Sequence, residues 1–149
     1  MSATTTPQYD KVLARKAKVV ERCVGRAREE YALAEGLFLS NYSRQDAAIL
    51  NIQRACEAAL DMAQRVVSQK KWGVAETSKD LFAVLKRNAV IDERMTTVLS
   101  HMVGFRNLAV HDYEDLDMKI VESIIQNDAS DLLAFSELVL KQFFEGKKP

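Results

Sequence analysis

From Tyr9 to Leu39 the chain reads YDKVLARKAKVVERCVGRAREEYALAEGLFL, and the spacing of its apolar residues decides the fold class. Leu13, Ala17, Val20, Val24, Ala27, Tyr31, Ala34 and Phe38 follow one another in steps of three and four, which keeps them on one face of a helix. A helix of ~29 residues would be ~43 Å long at 1.5 Å per residue. Pro7 and Pro149 are the only prolines, so nothing between them need break a helix. The five glycines are scattered singly, too sparse for the turns of a many-stranded β protein.

The same period continues downstream. Asn41-Tyr42-Ser43 reads as a turn with Ser43 as N-cap. A second, alanine-rich helix then carries Ala48, Ile52, Ala55, Ala59, Met62 and Val66 to about Ser68, and its small residues let a neighbouring helix approach closely. Lys70-Lys71-Trp72-Gly73 supplies the cations and the glycine of a helix end, with Trp72 as a packing residue. Thr77-Ser78-Lys79-Asp80 fits a capping box for a short third helix burying Leu81, Phe82, Leu85 and Ala89. Asp92 caps a fourth, with an apolar face of Met95, Val98, Leu99, Met102 and Phe105. After an acidic interruption at Asp112–Asp117, a last helix carries Val121, Ile125, Leu132, Phe135, Val139 and Phe143. The expectation is an all-α, up-and-down bundle of about five helices in a single domain.

Composition excludes several classes. With 149 residues and 48% hydrophobic content the chain can bury its own core and is not intrinsically disordered. No apolar run approaches the ~20 residues of a membrane span, and MSATTTPQYDK lacks an apolar signal core. Cys23 and Cys56 alone make no disulfide scaffold; each reads as a small buried hydrophobe. A soluble cytoplasmic protein is the expectation these exclusions leave. There is no GxxxxGK or GxGxxG phosphate loop, and His101 and His111 lack the partners of a zinc site, so neither a cofactor nor a metal is expected.

The formal net charge is +0, yet the charge is segregated. Lys11 to Arg28 holds seven basic residues and one acid, while Asp112 to Glu137 holds eight acids and one base. Lys11, Arg15, Lys18 and Arg22 share a stripe opposite the apolar seam of the first helix. Such a stripe suits a phosphate backbone, and equally suits an ordinary solvated face.

Gly104-Phe105-Arg106-Asn107-Leu108-Ala109-Val110-His111-Asp112-Tyr113 stands apart, where the fourth helix should end. On an ideal helix Arg106 and His111 lie about 140° apart, so they converge only if the helix frays near Val110 and His111 swings back. Arg is a permanently charged fork for phosphate oxygens, and His exchanges protons near neutral pH. Asn107 adds a neutral donor and acceptor, and Tyr113 a phenol. Together these groups suit cleavage of a phosphodiester by its neighbouring 2′-hydroxyl. The spacing alone fits as well an Arg paired with downstream acids and a His resting on helix-end carbonyls.

The stretch Phe105–Tyr113 resembles the R-x4-H-x-Y signature of HepT-like toxins of the HEPN superfamily, with Asn107 matching the polar residue after the Arg. The alanine-rich helix from Asn51 to Asp61, the helix order and the length resemble that family too, so the likeness covers most of the chain. It implies the toxin of a type VII-like toxin–antitoxin system, a metal-independent endoribonuclease acting on tRNA or mRNA as a two-fold homodimer. Arg106 would hold the phosphate, His111 would act as acid and base, and Asn107 would orient substrate or His111. An MNT-type nucleotidyltransferase antitoxin would be the partner, and Tyr113 the residue to which it adds AMP. The alternative within the superfamily is a non-catalytic HEPN protein that binds a nucleotidyltransferase. Residues 1–8 then read as a flexible extension, 9–145 as the HEPN-like domain and 146–149 as a tail.

Overall fold

In the computed structural model, which describes residues 10–143, the first helix begins at a buried carboxylate. Asp10 accepts from the backbone N–H groups of Val12 and Leu13, both at 3.1 Å, and so caps α1 (Lys11–Leu33). The same carboxylate receives Arg65 Nε at 2.8 and 2.7 Å and Gln69 Nε2 at 2.8 Å. One side chain thereby starts a helix and ties it to the next. The expected extension at 1–8 and tail at 146–149 lie outside the described residues.

Helix α1 is shorter than its apolar spacing predicts. It ends at Leu33 because Glu35 and Gly36 take positive φ (51° and 83°), which turns the chain. A 3-10 turn follows at Phe38–Ser40. Ala34 and Phe38 are buried all the same, so their spacing reported core contact rather than helix continuity. Helix α2 (Tyr42–Lys70) is capped by Asn41, which accepts from Arg44 N at 3.1 Å, and not by Ser43, which lies inside the helix. Its alanines Ala48, Ala55, Ala59 and Ala63 are buried within this one chain, where α1 lies along most of α2. They are therefore not available to another protomer. Lys71 (φ 58°) forms the left-handed cap, Trp72 N–H bonds back to Val67 O at 3.0 Å, and the Trp72 ring packs half-buried against the core.

Helix α3 (Ser78–Arg87) carries the expected capping box, with Thr77 and Asp80 bonded reciprocally at 3.2 Å. Ala89 is an exception to the expected core: it sits past the helix end at φ 61°, exposed, while Val84, Val90 and Ile91 fill the core instead. Asp92 caps α4 (Glu93–His111) by accepting from Met95 N at 2.8 Å. A 3-10 turn at Tyr113–Asp115 leads into α5 (Met118–Ser123), a π-helical turn at Ile124–Asp128, and α6 (Ala129–Phe143). The backbone stays helical through both junctions, so these three segments make the single last rod of a five-rod bundle. The π turn is not revealed by the spacing, and Ile124 and Ile125 at its start are both buried in the core. Among the described residues there is no strand, and no helix is long and apolar enough to cross a membrane.

Burial pushes the Asp10 carboxyl up, but the bonds from Arg65, Leu13 N–H and Gln69 and the Arg65 charge outweigh it and hold it below the usual carboxylate range. A depressed folded value stabilises the native state at neutral pH, and that part is lost as pH falls through it. Asp10→Ala should cost about 1–2 kcal/mol at pH 7 by thermal or urea unfolding, and distinctly less at pH 3. An equal loss at both values would contradict the ionic part of this anchor.

Candidate active site

Helix α4 carries the motif, and its register determines where each side chain goes. Leu99, Met102, Phe105 and Ala109 are buried, and Arg106 falls among them in the three-and-four spacing of the core face. The guanidinium is thus drawn partly into the protein. Its Nη2 donates to Ser78 Oγ at 3.2 Å, at the start of α3, while Nε is buried with no hydrogen-bond partner. Among the described residues none of the ion pairs engages Arg106, so the expected alternative of pairing with downstream acids is not what the structure shows. Cys56 of α2 lies close by, and its Sγ approaches Met102 O at 3.8 Å. Burial pushes this thiol up to about 12 even though the Arg106 charge pulls the other way. Both cysteines are buried and free.

His111 does not swing back. α4 remains helical through His111, and Asp112 N–H bonds to Leu108 O at 2.8 Å. Arg106 and His111 consequently keep their separation of about 140° around the axis, one on the core side and one on the exposed side. Asn107 is exposed between them, and Leu108 (41%) and Val110 (46%) are exposed apolar neighbours.

Tyr113 begins the 3-10 turn after α4 and is 40% exposed. Its hydroxyl donates to Asp46 Oδ1 of α2. Burial, and then the bond to Asp46 and its charge, push the phenol above the usual tyrosine range. Asp46 carries no motif and has no special spacing, so the sequence gives no sign of this contact.

The basic stripe of Lys11, Arg15, Lys18 and Arg22 is exposed on α1, as its spacing predicts. α1 packs on α2 and α6, whereas α4 packs on α2, α3 and α6, so the stripe is not brought onto the motif's helix. A cavity of about 300 Å³ lies beside the motif, between α4 and the last rod, lined by His101, Phe105, Leu108, Leu116, Ile120 and Asp128 among others. It contains neither Arg106, His111 nor Tyr113, and its walls are mainly apolar. Among the described residues no three His, Cys, Asp or Glu side chains gather where a metal ion could be held.

Residues 20–139 match the family described as ribonuclease HepT-like. The chain belongs to the HepT-like family. It is 34% identical over 128 residues to the mRNA nuclease HepT of Shewanella oneidensis, covering 86% of this chain and 96% of that one. It is 26% identical over 80 residues to the tRNA nuclease HepT of Aphanizomenon flos-aquae, covering 54% of each. Among solved structures, a tri-AMPylated Shewanella oneidensis HEPN toxin in complex with MNT antitoxin superposes with a TM-score of 0.84 at 32% identity, over 89% of this chain and 98% of that one. A toxin–antitoxin structure with AMP-PNP superposes equally well, also at 32% identity, over 89% and 99%. The HEPN-like fold expected from the motif is therefore the fold found.

A charged side chain in an apolar register, with a buried donor unsatisfied, weakens the HepT-like fold of this chain. Arg106→Met should raise stability by about 1 kcal/mol, or about 3 °C in melting temperature for a chain of this size. A lower melting temperature would mean that the guanidinium is a structural brace.

Proposed function

We propose that this chain is a toxin ribonuclease whose cleft forms around the Arg106 and His111 of two copies. The observation that carries the reading is Arg106 itself, a cation seated in a core register with a buried, unpartnered Nε. Folding would favour an apolar residue there; a phosphate-binding role accounts for the arginine. Family membership supports the same reading, as do relatives named as mRNA and tRNA nucleases.

The directions of the two side chains support a dimer. Arg106 and His111 leave a straight helix about 140° apart, which favours their meeting a phosphate across two chains rather than within one. A two-fold axis against the exposed side of α4 would set the His111 of one copy beside the Arg106 of the other, covering Leu108 and Val110. In that cleft Arg106 holds the phosphate and stabilises its developing charge, and Asn107 orients substrate or His111. His111 takes the proton of the 2′-hydroxyl and returns one to the leaving 5′-oxygen. The reaction needs no metal. The exposed stripe of Lys11, Arg15, Lys18 and Arg22 would steer the RNA strand from outside the cleft. The partner is an MNT-type nucleotidyltransferase antitoxin in the same cytoplasm, as the toxin–antitoxin complexes among the structural neighbours support. Tyr113 is the residue it modifies with AMP, since it combines an exposed position with nearness to His111.

Purified protein should cleave RNA in the presence of a chelator, leaving 2′,3′-cyclic phosphate and 5′-hydroxyl ends. Arg106→Ala and His111→Ala should each lower the rate by about 10² or more with the helical circular dichroism retained. Sedimentation should give a dimer at micromolar concentration. Full cleavage by both variants, or a species near 16.8 kDa that is fully active, would refute the reading.

A further inference from the structure

The Asp46–Tyr113 contact joins the first turns of α2 to the turn after α4, across 67 residues of sequence. Nothing in the RNA cleavage outlined above uses Asp46. Its carboxylate is exposed, and none of the ion pairs among the described residues engages it. An exposed carboxylate with no cation to hold is seldom worth a fixed position for stability alone. Here it is aimed at one oxygen, the phenolic oxygen that a modifying enzyme would use as nucleophile.

We propose that Asp46 is the proton acceptor for nucleotidyl transfer onto Tyr113, so that the toxin supplies the base for its own modification. The inference rests on the reading of Tyr113 as the AMP-accepting residue. In the step, Tyr113 Oη attacks the α-phosphorus of ATP held by the partner enzyme. A phosphorus–oxygen bond forms to the tyrosine, the bond to the pyrophosphate oxygen breaks, and pyrophosphate leaves with its electron pair. The phenolic proton passes to Asp46 Oδ1 and from that exposed carboxylate to water. Such an acceptor matters because a phenol is protonated at neutral pH and free phenolate is scarce.

The other two tyrosines among the described residues support the selectivity. Tyr42 is 76% exposed and stands one turn before Asp46 on the same helix, yet its hydroxyl makes no hydrogen bond among the described residues. Tyr31 does bond a carboxylate, Glu122 Oε2 at 2.7 Å, but it is half-buried against the core and its hydroxyl oxygen also accepts from Gln126 Nε2 at 2.8 Å. Tyr113 alone among these three combines exposure with a carboxylate and no competing donor. Once AMP is attached, the new phosphodiester faces Asp46 with like charge and no proton to share, which drives the nucleotide off α2.

The test is the rate of AMP addition in the complex of the full chain with its nucleotidyltransferase, followed by mass spectrometry with ATP as donor. Asp46→Asn should lower the rate constant of the first addition by about 10² with KM for ATP unchanged, since general-base catalysis contributes on that scale. Asp46→Glu, which keeps the carboxylate, should recover much of the loss, and Tyr42 should remain unmodified in every case. Equal slowing of the Asn and Glu variants would assign Asp46 to shape rather than proton transfer and overturn the proposal. So would an Asn variant modified at the wild-type rate. A wild-type Tyr113 that is never modified would remove the reading beneath it, and the inference with that reading.

Discussion

Helix α2 is the post on which this molecule stands. α1, α3, α4 and α6 all pack against it, and nearly half of its residues are buried. That is possible because its inward positions alternate alanine with larger side chains, so α1 lies close along one side while Ile49, Ile52 and Met62 fill the wider spaces. Asp10 fixes the pairing at one end through Arg65 and Gln69, and Glu30 meets Arg44 at 2.7 Å at the other. The same post reaches the candidate site twice. Cys56 backs the Arg106 side of α4, and Asp46 holds the turn that carries Tyr113. A shift of α2 would disturb the core and the site together.

The position of Arg106 is costly to the fold. Its neighbours in the register are apolar, its Nε has no partner, and the one side chain that bonds it is the neutral hydroxyl of Ser78. Burying part of a cation without a counter-ion costs stability, and the phosphate contact proposed above would supply the missing anion. The charge is segregated along the chain, with the basic stripe on α1 and eight of the 21 acids between Asp112 and Glu137.

Much of this was legible in the sequence because helix periodicity is a local signal. The five rods, the capping box at Thr77–Asp80 and the Asp92 cap all follow from short-range spacing. What failed to show was set by backbone turns and by long-range contact. The left-handed pair Glu35–Gly36 ends α1 inside an unbroken apolar pattern, and the π turn at Ile124–Asp128 leaves hydrophobic spacing almost unchanged. α4 ends within Gly104–Tyr113, as the sequence indicates, but the fraying near Val110 that would let His111 swing back does not occur: nothing in Val110-His111-Asp112 breaks a helix, so it runs on through His111. Arg106 was legible as a motif residue, and its place between Met102 and Ala109 was a second signal available in the register. Asp46 was not legible at all, because 67 residues separate it from Tyr113.

The central claim is that a straight α4 obliges Arg106 and His111 to work across two chains. Mixed dimers of an Arg106→Ala copy and a His111→Ala copy, isolated through two different tags, test it directly. Two copies acting across an axis leave one Arg106–His111 pair intact between the chains, so RNA cleavage should return to roughly half the wild-type level although each parent dimer is inactive. Mixed dimers as inactive as their parents would place Arg106 and His111 in one chain's site and contradict the account.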